Sequence, residues 1–133
     1  MKKSGILNKE ISNLIASMGH TDMLTISDCG LPISYDRYRI DLSIVGGKPR
    51  FLEVLEPVLN ELKIEKVIMS EEIKSVSPKM LDTILKILPN DVEIEYVPHS
   101  KFKEISNTKT KGVIRTGEMT PYANIILVSG VTY

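Results

Sequence analysis

Two histidines, one aspartate and one densely polar segment carry most of the chemistry this chain can offer. His20 stands in the run Gly19-His20-Thr21-Asp22, and His99 follows Pro98. Imidazole titrates near pH ~6.5, so either ring can give or take a proton at neutral pH. Asp22 is close enough to His20 to fix its tautomer. The same histidine equally suits a helix carboxyl terminus, where a cation meets the negative end of the dipole. Asp28 precedes Cys29-Gly30-Leu31-Pro32. It reads either as a turn former that accepts backbone N–H bonds or as a carboxylate that holds a hydroxyl or orients a histidine. Cys29 reads as a small apolar filler, since nothing near it marks an activated thiol. Lys103 lies one helical turn after His99 and shares its face if His99 opens a helix; otherwise it is a solvated lysine.

From Ile114 to Asn124 the chain packs two threonines, an arginine, a glutamate, a tyrosine and an asparagine between plain strand sequences. Tyr122-Ala123-Asn124 begins the last strand, and period-two geometry points Tyr122 and Asn124 to one face. A buried phenol and amide must find partners. A network within the sheet or a ligand with several hydroxyls satisfies them equally. Arg115, Glu118 and Thr120 read as braces of the turn or of an interface.

Several functions are disfavoured. The two histidines lie far apart and the chain has one cysteine, which matches no local metal-ligand motif and permits no internal disulfide. Gly46-Gly47-Lys48 lacks phosphate-loop spacing and reads as a turn. Nucleophilic triads have no support beyond the presence of the residue types. Lys+Arg and Asp+Glu are both 17, formal charge is zero, and the chain has no tryptophan and two phenylalanines. Nucleic acid and anionic membrane surfaces are therefore not expected partners. No apolar run approaches the ~20 residues of a membrane span, and no signal core follows the basic amino terminus. A lone thiol fits the cytoplasm.

The elements that must position these groups follow from periodicity. The 133 residues predict one domain spanning the whole chain, 1–133. Helical spacing covers Asn8–Met18, with Asn8 as cap and Gly19 ending it in a left-handed turn. It recurs over Phe51–Leu62, kinked or interrupted at Pro57, over Pro78–Leu88, and over a short stretch, Lys101–Ser106. Strands are expected at Met23–Ser27, Ile40–Ile44, Lys66–Ser70, Val92–Val97, Val113–Thr116 and Ile125–Val131. This alternation predicts an α/β fold, a three-layer α/β/α domain with a mostly parallel, mixed sheet whose antiparallel element comes at the end. Ligands of such sheets collect at the carboxyl ends of strands. Asp28, His99 and Thr116 each leave a strand there.

Together these motifs resemble the ribose pyranase and fucose mutarotase family over essentially the whole chain. The resemblance rests on Lys3 to Asn8, Gly19 to Asp22, Asp28 to Ile33, Arg39 to Leu42, His99 to Lys103 and, most of all, Ile114 to Asn124. The sequence Gly30-Leu31-Pro32 resembles the ribose branch. The resemblance implies a cofactor-independent, metal-free isomerase that interconverts the pyranose and furanose forms of D-ribose. It implies His20 as the acid/base residue and Asp28, His99, Lys103, Tyr122 and Asn124 around the sugar. It also implies a homo-oligomer, a decamer of two pentameric rings with sites across subunit contacts. An L-fucose mutarotase or a non-catalytic sugar-binding accessory protein are the alternatives. The segment Ser34 to Tyr38 departs from the family pattern, and Cys29 stands where alanine is commoner.

Overall fold

The computed structural model describes all 133 residues. Its elements run α1 (Lys9–Ala16), β1 (Met23–Ser27), β2 (Arg39–Asp41), α2 (Phe51–Glu61), β3 (Ile64–Ser70), α3 (Ile73–Val76), α4 (Pro78–Ile87), β4 (Glu93–Val97), α5 (His99–Thr108), β5 (Val113–Arg115) and β6 (Ile125–Ser129). The six strands form one sheet in the order β2-β5-β1-β6-β3-β4. All neighbours are parallel except β6, which runs antiparallel to both β1 and β3. The antiparallel strand is thus central. It does not pair with β5, although only a short connection separates them, because β1 lies between the two.

Strand alternation sorts the core into two layers. Val67 and Met69 of β3 and Ile125 and Leu127 of β6 point to the larger core, filled by Ile11, Leu14, Phe51, Leu55, Val58 and Ile84 from α1, α2 and α4. Ile68 and Ile126 point the other way, onto Phe102 and Ile105 of α5. The architecture is therefore α/β/α, with α5 on its own face.

Local chemistry explains the helix ends. Asn8 caps α1 by accepting the Ile11 amide at 3.0 Å, an interaction worth about 1 kcal/mol. Gly19 does not provide the left-handed turn; Thr21 does, with φ of 67°. Its amide is held by the Ser129 carbonyl at 2.9 Å. The helix α2 runs unbroken through Pro57. Pro57 sits on the exposed face, where water satisfies the carbonyl that its missing N–H leaves free. The four-residue α3 was not foreseen, and α5 begins at His99, before the Lys101 start that its periodicity predicts. The half-buried strand expected at Ile40–Ile44 shortens to three residues, because Asp41 turns its carboxylate to the Ser43 amide at 3.1 Å.

Candidate functional site

Because β6 alone is reversed, its amino-terminal end lies beside the carboxyl ends of the other strands. Asp28 after β1, Ser70 at the end of β3, His99 after β4, Thr116 after β5 and the turn before β6 all gather there. Asp28 and Asn124 form the centre. The Asn124 carboxamide oxygen accepts the Asp28 amide at 2.9 Å, and its Nδ2 donates to Asp28 Oδ2 at 2.8 Å. Gly30 donates its amide to Asp28 Oδ1 at 2.9 Å. Each carboxylate oxygen therefore has one protein donor and a lone pair left over. Asn124 is 1% exposed, so this pair of hydrogen bonds with Asp28 satisfies an amide that water cannot reach.

Tyr122 is not on a strand face. It lies in the turn before β6 with φ of 62°, a left-handed conformation that costs a non-glycine residue roughly 1–3 kcal/mol. The Asn124 amide donates to the Tyr122 carbonyl at 2.8 Å. This tight turn, rather than a shared strand face, brings both side chains to the site. The Tyr122 ring meets His99 edge-on, with centroids 4.9 Å apart at 89°.

His99 opens α5 and is held on three sides. Its backbone N–H donates to the Glu72 carboxylate at 3.0 and 3.1 Å. That bond is the main reason the Glu72 carboxyl lies below its ordinary range. Its Nδ1 meets Ser70 Oγ at 2.7 Å, and its ring stacks on Phe102 at 6.1 Å. Burial, then the nearby Lys103 ammonium, lowers the His99 pKa, against the opposing pull of Glu72 and Asp28. The ring is therefore neutral at neutral pH. Lys103 joins this group through that proximity. Ser70 and Glu72 were missed as partners. Their only sequence signal was a serine and two acids at the end of a strand.

The other polar residues of the Ile114 to Asn124 segment are braces, as expected. Burial alone would raise the Glu118 carboxyl. The amides of Phe51, Thr120 and Met119 and the Thr120 hydroxyl, at 3.0–3.2 Å, instead hold it below its ordinary value. It thereby caps α2 and shapes the turn that carries Tyr122. Arg115 donates from Nε and Nη2 to the Cys29 carbonyl at 3.2 and 3.0 Å and from Nη1 to the Asp41 carboxylate. Gly117 lies flat on Lys48, where a Cβ would run into the Lys48 backbone. The divergent segment Ser34 to Tyr38 is tied down at a distance from this centre. Tyr38 donates to Glu10 at 2.6 Å, and Ser34 to Asn107 at 2.7 Å.

His20 is elsewhere. It precedes β1, at the opposite end of the sheet, and its Nε2 contacts Glu65 Oε2 at 3.0 Å. Five residues of β1 at ~3.3 Å each separate it from Asp28 by about 17 Å of strand. Asp22 does not orient it; that carboxylate accepts the Gly19 amide at 2.7 Å and pairs with Lys111 at 2.9 Å. One chain thus assembles Asp28, His99, Lys103, Tyr122 and Asn124, and leaves His20 apart. None of the five cavities on the molecule is lined by Asp28, His99, Tyr122 or Asn124. No group of three or more His, Cys, Asp or Glu side chains is placed to hold a metal ion. No helix is long and apolar enough to cross a membrane.

The arrangement offers a carboxylate with free lone pairs, fixed by a buried amide, a phenol and a neutral imidazole, which suits a ligand of several hydroxyls. Comparison with known proteins shows what the chain is similar to. Residues 1–132 match the model of the RbsD / FucU transport protein family. A D-ribose pyranase of Pseudothermotoga lettingae is 56% identical over 133 residues, covering 100% of this chain and 94% of the relative. One of Geobacillus thermodenitrificans is 54% identical, covering 100% and 99%. The solved structure of Bacillus subtilis RbsD complexed with D-ribose superposes with a TM-score of 0.94 at 41% identity, covering 100% of both chains.

Proposed function

The chain belongs to the RbsD / FucU transport protein family, and from that premise we propose that it interconverts the pyranose and furanose forms of D-ribose. The observation that carries this reading is the Asp28–Asn124 pair beside His99 and Tyr122, in a fold that superposes on a ribose-bound relative along its whole length. Ring opening removes the proton of the anomeric hydroxyl and delivers one to the ring oxygen. Closure reverses this with a different hydroxyl as nucleophile. Only the hemiacetal C–O bond breaks and reforms, so the step needs no change of oxidation state. Asp28, set in place by Asn124, and Tyr122 hold hydroxyls and favour conformers ready to react. Lys103 and His99 border the sugar.

His20 supplies the acid/base step in this reading, and it comes from a neighbouring copy of the chain. Two features support that. His20 is at the other end of the sheet from Asp28, and the His20 side chain is 53% exposed. Head-to-tail contacts of this kind close into rings, in keeping with a decamer of two stacked pentamers. The free thiol of Cys29 fits a cytoplasmic home.

Saturation-transfer NMR on D-ribose and on L-fucose tests the substrate. Faster exchange on ribose alone is expected. Exchange accelerated on fucose alone would reassign the sugar.

A further inference from the structure

The contact between Ser70 and His99 decides where the imidazole proton sits. Ser70 ends β3 and is 0% exposed. Its hydroxyl has one hydrogen-bond partner, His99 Nδ1, at 2.7 Å. If Nδ1 carried the proton, it would donate to Ser70 Oγ, and the serine's own O–H would be buried with no acceptor. An unmet buried donor costs about 1–3 kcal/mol. If the serine donates instead to a bare Nδ1, only oxygen lone pairs go unfilled, which buried groups tolerate better. The neutral ring then carries its proton on Nε2.

The surroundings favour that neutral ring. His99 is the first residue of the ten-residue α5, whose amino-terminal end disfavours an added positive charge. Lys103 from the same helix acts in the same sense, and burial adds to it. Glu72 beyond β3 and Asp28 beyond β1 oppose them. Tyr122 meets the ring edge-on and adds no charge.

We infer that Ser70 is a positioning residue that holds His99 as a neutral Nε2–H donor toward a sugar oxygen, leaving removal of the anomeric proton to another group. The inference rests on the proposed sugar site. It makes His99 a group that grips and polarises an oxygen, in the way a neutral imidazole at a helix amino terminus can. The Asp28 carboxylate then remains a hydrogen-bond acceptor for sugar hydroxyls at that site.

Histidine-selective 15N NMR of the intact protein tests this directly. The chain has two histidines, and a His20→Gln spectrum identifies His99 by elimination. Near pH 7.5, His99 is expected to show a protonated Nε2 and a bare Nδ1. A protonated Nδ1 would overturn the inference. In Ser70→Ala the His99 signals should shift toward a mixture of tautomers, and KM for ribose should rise roughly three- to tenfold with a smaller change in kcat. Ser70→Thr should restore both. Unchanged His99 signals and KM in a folded Ser70→Ala would also overturn it. The nitrogen spectrum is read without sugar, so failure of the ribose reading appears in the exchange rate and failure of the tautomer in the spectrum.

Discussion

Asn124 holds Asp28 at both ends, accepting its backbone N–H at 2.9 Å and donating to its carboxylate at 2.8 Å. One amide therefore sets both the position of the loop after β1 and the direction in which Asp28 faces. The residues are far apart in sequence and meet because β6 runs antiparallel beside β1.

Asn124→Asp should break this pairing. The new side chain cannot donate to Asp28 and sets a second carboxylate against it. The expected result is a loss of about 1–3 kcal/mol in stability and at least a tenfold rise in KM for ribose. Thermal melts and exchange rates measured on the same preparation read both effects.

Glu118 predicts a pH-dependent contribution to stability. Its folded pKa lies below the ordinary 4.5 because the donors of Phe51, Thr120 and Met119 outweigh burial. A carboxyl depressed on folding stabilises fully above its unfolded pKa, and that stabilisation is lost as pH falls through the folded value. Glu118→Gln should lower stability by about 2 kcal/mol near pH 7. The gap from the unmodified protein should narrow steadily below pH 4.5. Denaturant titrations across that range measure it, and a gap independent of pH would count against the charged brace.

A site shared between copies predicts complementation. His20→Ala and Asp28→Ala should each abolish accelerated exchange while keeping the fold. Mixed by unfolding and refolding together, they should regain part of the activity, because some contacts then join an intact His20 to an intact Asp28. No recovery in assemblies shown by mass spectrometry to contain both chains would mean that the two residues act within one chain or not together.

The sequence made part of this site legible for a simple reason. Met23–Ser27 and Val92–Val97 are strongly patterned strands, and Asp28 and His99 follow them directly, so the rule about strand carboxyl ends brings them to one place. The position of β6 between β1 and β3 was not legible. Strand order depends on long-range pairing, which local periodicity does not encode. Tyr122 was misplaced onto a strand face because its left-handed backbone is imposed by the surrounding turn, and no glycine announced it. Ser70 and Glu72 were missed because their importance lies in what His99 does across β4. The separation of His20 from Asp28 follows from their places at opposite ends of β1. Reading them as one site requires a second chain.

The most direct measurement is saturation transfer between the pyranose and furanose anomeric signals of D-ribose, with the protein at catalytic concentration and no cofactor added. Transfer well above the rate in buffer is expected, with loss of that excess in His20→Ala. Binding of ribose with exchange at the buffer rate would contradict it and leave a sugar-binding protein without this activity.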